Sequence, residues 1–231
     1  MKRLLRLIVI IIAHFSLLIS HSSCTQDAYE KGEGKYSLMR ADFVEAHANG
    51  QKEIDLITTD DGNQYSVTKA FTTKWVTTAD STYRCILYYN KVEKGSGNYS
   101  AEPISIGQVS CPKVTPLSKL DKEMKTDPVK FESAWLSKTG KYLNLSFYLM
   151  TGTTDDEKAS QTLHIVQDTI MTNSDATRTS HLRLYHDQAG IPEYYSTQVY
   201  VSILTSQIDA DSVRISINTY KGPVTKSLVL R

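Results

Sequence analysis

Almost every ordered stretch of this 231-residue chain alternates apolar and polar residues with a period of two. Leu143, Leu145, Phe147 and Leu149 fall on one side of an extended segment, and Asn144, Ser146 and Tyr148 fall on the other. Val199, Val201 and Ile203 repeat the pattern, as do Val213, Ile215 and Ile217, while Ile54 and Leu56 alternate with Glu53 and Asp55. Successive side chains of a strand point to opposite faces, so this alternation predicts half-buried antiparallel strands and an all-β fold. Thr, Tyr, Val and Ile are plentiful, as a pleated surface favours. Turn signals separate the runs at Asp60-Asp61-Gly62-Asn63, Gly95-Ser96-Gly97-Asn98, Thr139-Gly140-Lys141 and Lys221-Gly222-Pro223. No internal repeat suggests a solenoid or a propeller.

One short patch has helical spacing. Leu117, Leu120 and Met124 lie three and four apart within Pro116 to Thr126, which ends before Asp127-Pro128, where proline disfavours further helix. A helical connector over 116–126 would divide the chain into 36–115 and 127–231. The first part offers strands near 36–47, 52–59, 64–69, 82–93 and 102–114, which suits a small OB-like barrel. The in/out phase slips at Gly107, between Ile104/Ile106 and Val109/Cys111, which predicts a bulge there. The second part offers six or seven strands, which suits an antiparallel β-sandwich.

The first 23 residues read differently. Met1 to Arg6 is basic, Leu7 to Ile19 is mostly apolar, and small polar residues precede Cys24. This is the layout of a secretory signal, too short for a membrane-spanning anchor. Ser22-Ser23-Cys24 resembles a bacterial lipobox, although His21 stands where an aliphatic residue is usual, and Cys24 is the expected site of lipid attachment. Each buried acyl CH₂ would add about 0.8 kcal/mol to membrane binding. Residues 24–35 read as a flexible tether. In an exported chain the remaining pair, Cys85 and Cys111, reads as a disulfide that would add about 3.5 kcal/mol, with two thiols on separate strands as the alternative.

Composition excludes other classes. Formal net charge is +1, and Lys2, Arg3 and Arg6 belong to the leader, so the remainder lacks the basic field that nucleic acid requires. Nucleophile-elbow, phosphate-loop, dinucleotide, zinc-protease and EF-hand patterns are absent from the sequence, so neither a catalytic residue, a metal nor a cofactor is expected. His181 and His186 are five apart and would point to opposite faces of a straight strand. His181 is expected exposed beside Arg183, His186 packed or hydrogen-bonded, and His164 on a sheet surface. Asp155-Asp156-Glu157 could offer oxygen ligands to calcium, yet reads first as a solvated loop. Fourteen tyrosines are the most unusual feature. Tyr88-Tyr89 and Tyr194-Tyr195 would each place one ring on each face of a strand, and Tyr194-Tyr195 follows Ile191-Pro192 as a candidate binding element. Trp75 and Trp135 read as core residues.

Particular segments also carry a family resemblance. Thr59-Asp60-Asp61-Gly62 with Tyr65-Ser66-Val67 resembles the first-domain hairpin of the NigD-like lipoproteins. Asp127-Pro128-Val129, Trp135 and Tyr142 to Phe147 are similar to the opening of that family's second domain. Leu182 to Asp187, Gly190 and Val201-Ser202-Ile203-Leu204 are similar to its later strands. The resemblance implies an OB-like barrel and a β-sandwich on a lipid anchor in the envelope of an anaerobic Gram-negative bacterium, at the outer membrane, with the membrane face left open. It implies no active-site residues. It associates the family with a bacteriocin gene cluster and a protective role. The expected function is therefore non-catalytic binding of a protein or toxin-like peptide through sheet edges, loops or exposed tyrosines, with a carbohydrate-binding accessory as the alternative.

Overall fold

The computed structural model describes residues 34, 36–154 and 159–230. The leader, Cys24, the tether apart from Gly34, and Asp155-Asp156-Glu157 lie outside the described residues. Of residues 1–38, Gly34 and Tyr36–Leu38 form a turn in which the Ser37 N–H donates to the Gly34 carbonyl at 2.9 Å. Residues 39–231 form one unit.

The alternation in the first half closes a barrel. Its strands are β1 (Arg40–Ala48), β2 (Ile54–Thr59), β3 (Gln64–Phe71), β4 (Ser81–Gly95) and β5 (Asn98–Gln108), in the order β1-β2-β3-β5-β4. β1 pairs with β4 to complete the ring, and β3 runs parallel to β5. Val44, Ala46, Ile54, Ile57, Cys85, Leu87, Tyr89 and Ala101 point inward and are fully buried. Val44, Ala46 and Ala48 on β1 are small, and Leu87 and Tyr89 on β4 supply the bulk that fills the narrow interior. Gly62, at φ +87°, makes the β2–β3 hairpin, and a side chain there would be strained.

Two further sheets follow. One has the order β13-β12-β10-β9-β6 and the other β11-β8-β7. The strands are β6 (Val114–Pro116), β7 (Lys130–Leu136), β8 (Tyr142–Thr151), β9 (Thr162–Thr172), β10 (Arg178–Asp187), β11 (Tyr195–Leu204), β12 (Ser212–Ile217) and β13 (Val224–Val229). Leu143, Leu145, Phe147, Ile165, Leu182, Val201, Ile203, Val213 and Ile215 interdigitate between the sheets as the sandwich core. The larger sheet is mixed rather than purely antiparallel. The chain leaves it for β11 and returns at β12, so β12 lies parallel to β10, and β6 lies parallel to β9.

Three expectations are corrected. The helical connector over 116–126 is absent apart from a single 3₁₀ turn, Leu117–Lys119. Val114–Pro116 is taken into the sheet beside β9, Thr126 bridges to His186, and Leu117 is exposed. What remains is too short to nucleate a helix without a buried face. The bulge on β5 is not at Gly107, which pairs with Ile86 in register. The register breaks at Ile104, after Pro103, which has no N–H to give the ladder. Finally, Cys85 and Cys111 are both free thiols. Cys85 points into the barrel core, while Cys111 lines a cleft beside Arg84, the neighbour of Cys85 on the opposite face of β4. Strand parity therefore keeps the two sulfurs apart. Burial pushes the Cys85 thiol up to about 12.

Candidate functional site

The polar side of β8 does not face solvent. Tyr142 to Phe147 are buried without interruption, because one face meets the sandwich core and the other meets the barrel. Phe43 on β1 sits edge-on to Trp135 at 5.6 Å and to Tyr200 at 5.2 Å. Trp135 is thus half-buried at this junction, and Trp75 packs on the barrel core beside Tyr83.

Arg84 crosses the junction. Its guanidinium donates to both carboxylate oxygens of Asp60 at 2.6 and 2.8 Å, to Asn144 Oδ1 at 3.0 Å and to Ser202 Oγ at 3.0 Å. Asn144 Nδ2 donates to Asp60 at 3.1 Å and Ser202 Oγ donates to Asn144 at 2.7 Å. The guanidinium carbon also lies 3.9 Å from the centre of the Tyr142 ring. Every polar group of this set is matched, which is the condition under which a buried charge is tolerated.

A cleft of about 570 Å³ opens beside this network, lined by Thr82, Arg84, Gln108, Ser110 and Cys111. Burial raises the Cys111 thiol, with Arg84 opposing. On the same rim Glu45 accepts from Tyr142 Oη at 2.6 Å and pairs with Lys141. Burial alone would raise the Glu45 carboxyl. The Lys141 and Tyr142 hydrogen bonds and both nearby cations outweigh it, and the net shift is downward from an ordinary value of 4.5. A carboxyl lowered in the folded state stabilises above its unfolded value and loses that contribution as pH falls through the folded value. Melting temperature is accordingly expected to fall as pH drops from the unfolded value of 4.5 through the lower folded one, and Glu45→Gln is expected to flatten that fall. A pH-independent melting curve for the wild type would contradict this assignment.

The second site is the far end of the sandwich. Val129, Phe131, Met150, Tyr220 and Val224, with the stem of Lys130, line a largely apolar groove of about 370 Å³. Tyr220 donates to Glu193 Oε1 at 2.9 Å, tying the 219–222 turn to the loop after β10. Burial, then Glu193, pushes the Tyr220 hydroxyl up to about 12. That loop is held by many bonds. The Gln188 N–H donates to Asp127 at 2.6 Å, Gln188 Nε2 donates to the Met150 and Ile191 carbonyls, and the Tyr194 N–H donates to the Thr151 carbonyl at 3.0 Å. Tyr194 is nevertheless 77% exposed and Tyr195 55% exposed. Gly152 makes this possible, because a Cβ there would meet the Pro192 carbonyl at 2.8 Å and the Tyr194 ring at 2.9 Å. Gly152→Ala is expected to displace the Pro192–Tyr194 segment and cost about 1–3 kcal/mol in a denaturant titration. A variant with unchanged midpoint would show that the segment yields freely.

The sequence-flagged residues are distributed as follows. Tyr89 is buried and donates to Asp42 at 2.9 Å, while Tyr88, on the other face, is half-buried. His186 is fully buried between the Asp127 carbonyl at 3.0 Å and Gln161 at 2.9 Å. His181 is only partly exposed, and His164 lies on the sheet against Tyr185, 5.3 Å between rings. Among the described residues no group of three or more His, Cys, Asp or Glu could hold a metal, and no helix is long and apolar enough to cross a membrane. Tyr220 and the groove went unforeseen, because only the tertiary fold brings residue 220 to residue 193.

The sandwich segment, residues 112–230, matches the family model for the NigD-like C-terminal beta sandwich domain. The chain belongs to the NigD-like family. Solved structures of the same fold include a NigD-like immunity protein from Bacteroides caccae, 21% identical over 82% of this NigD-like chain and 96% of that one, with a TM-score of 0.63. A candidate toxin-related protein from Parabacteroides distasonis is 15% identical over 82% and 92%, at 0.61. A candidate lipoprotein from Bacteroides fragilis is 13% identical over 82% and 96%, at 0.57. At these identities the likeness is one of fold. No curated protein matches the chain.

Proposed function

We propose that this NigD-like chain is a non-catalytic binding protein of the cell envelope, anchored by lipid on Cys24, and that it captures a toxin-like peptide at the end of its sandwich. The observation that carries the reading is the pair of exposed rings, Tyr194 and Tyr195, held on a hydrogen-bonded loop beside an apolar groove. Rigid tyrosines lose little entropy on binding and present both an apolar face and a hydroxyl. The anchor is supported by Ser22-Ser23-Cys24 and by the fold shared with the candidate lipoprotein. The immunity role is supported by the fold shared with the NigD-like immunity protein.

The test is a protection assay in the native host. Deleting the gene is expected to sensitise cells to bacteriocin-containing supernatant of the producer strain. Wild-type protein should restore growth, whereas Tyr194→Ala/Tyr195→Ala and Cys24→Ala should not. Palmitate labelling should mark the wild type and miss Cys24→Ala. Unchanged sensitivity after deletion, or selective binding on a glycan array that the tyrosine variant loses, would replace this reading with the carbohydrate one.

A further inference from the structure

We infer that the outer edge of β11 is a docking edge for an extended peptide, which joins the three-stranded sheet as a fourth strand. This rests on the peptide-binding reading above and specifies how the main chain is recognised.

β11 is an edge strand, hydrogen-bonded along its length to β8 alone. Its other side carries one isolated parallel bridge, Ser110 to Val201, in which the Ser202 N–H donates to the Ser110 carbonyl at 2.9 Å. The chain itself thus lays one extended segment against this edge. Backbone polar groups of alternate residues in a strand point to the same side. The Ser202 N–H faces outward, so the N–H and C=O groups of Ser196 and Gln198 face outward too. Among the described residues nothing pairs with them, and Tyr195 to Gln198 are all exposed.

Proteins usually guard such edges with charge, proline or brevity. The other edges of both sheets are guarded in this way. β7 carries Lys130 and Glu132, β13 carries Lys226, and β6 has three residues and ends in Pro116. β11, Tyr-Ser-Thr-Gln-Val-Tyr-Val-Ser-Ile-Leu, has neither charge nor proline. An unguarded edge in line with a strand the chain already adds to it fits a partner strand of about five residues. The lack of charge and the flanking rings of Tyr194 and Tyr195 suit an uncharged, β-branched or aromatic segment.

A second copy of the chain fits less well. Antiparallel pairing of two β11 strands about Thr197 sets residue 201 of one copy opposite residue 193 of the other. The Ser110 segment already occupies the edge beside residue 201. It would compete with Pro192 and Glu193 for one place.

The test begins with selection of a random peptide phage library on the purified chain. The best binder is then made synthetically and measured by calorimetry. Strand addition predicts that N-methylation at alternate peptide residues weakens binding roughly tenfold or more at each, while N-methylation at the intervening residues does not. In the protein, Ser196→Pro removes one outward N–H and no recorded side-chain bond. It is expected to weaken binding to a similar degree with the melting temperature preserved. Amide exchange at Ser196 and Gln198 should slow when the peptide binds. Insensitivity to both Ser196→Pro and alternate N-methylation, with binding still lost in Tyr194→Ala/Tyr195→Ala, would overturn strand addition and leave peptide capture standing. Selection that returns no binder would overturn both. Slow exchange at Ser196 and Gln198 in the peptide-free protein, with a dimer in sedimentation, would assign the edge to a second copy instead.

Discussion

Arg84→Ala is expected to cost about 3–5 kcal/mol, the loss typical of breaking a buried ion pair from one side. The Arg84 side chain is 3% exposed and that of Asp60 20%. Removing the guanidinium takes one donor each from Asn144 Oδ1 and Ser202 Oγ and two from the Asp60 carboxylate. It also strips the cation from the Tyr142 ring. Denaturant titration of Arg84→Ala, Asp60→Ala and the double variant measures the coupling, and an interaction energy of about 1–3 kcal/mol is expected. These bonds join β4 of the barrel to β8 and β11 of the sandwich. Additivity in the cycle, or a loss below about 1 kcal/mol, would show that the network positions the two lobes without holding them.

The junction also explains which parts of the structure were legible in the sequence. Barrel strands and sandwich strands announce themselves because Cys85, Leu87 and Tyr89, or Leu143, Leu145 and Phe147, recur every second residue on a buried face. The same period hides the other face of β8. Asn144 and Ser146 look like solvent-facing residues, and a hydrophobicity pattern cannot separate a polar face turned to water from one docked on Arg84. A signal existed in Arg84 itself, a charge within the otherwise uncharged stretch 81–90 of β4. The cysteines mislead in the same way. Pairing by count ignores that Cys85 shares a face with Leu87, while the cleft holding Cys111 lies on the Arg84 side. Leu117, Leu120 and Met124 have helical spacing, but helices need a buried face and length, and β6 takes the residues before them. At the candidate site, Tyr194-Tyr195 stood out as an adjacent pair, whereas the groove depends on Val129, Met150 and Tyr220 meeting across long loops.

Phe147→Ala is expected to lower stability by about 3–5 kcal/mol, as for other buried phenylalanines, with the denaturant slope unchanged. Phe147 is fully buried and opposes Val199 of β11 and Phe131 of β7, so it stands at the centre of the three-stranded sheet. The sheet cannot collapse into the space, because its other face is fixed on the barrel through Asn144, Ser202 and Trp135. A site that cannot relax retains its cavity and loses the most. Domains of this kind hold about 5–15 kcal/mol in total, so the variant should fold yet melt far lower. Phe147 points to the sandwich core and Arg84 lies across the barrel-facing side, with no recorded partner in common. The double variant Phe147→Ala/Arg84→Ala is therefore expected to be additive within about 0.5 kcal/mol. Substantial coupling would mean that β8 shifts as a rigid plate and carries strain from the sandwich core into the junction. In that case changes at the tyrosine-bearing end of β11 would also be felt by the barrel.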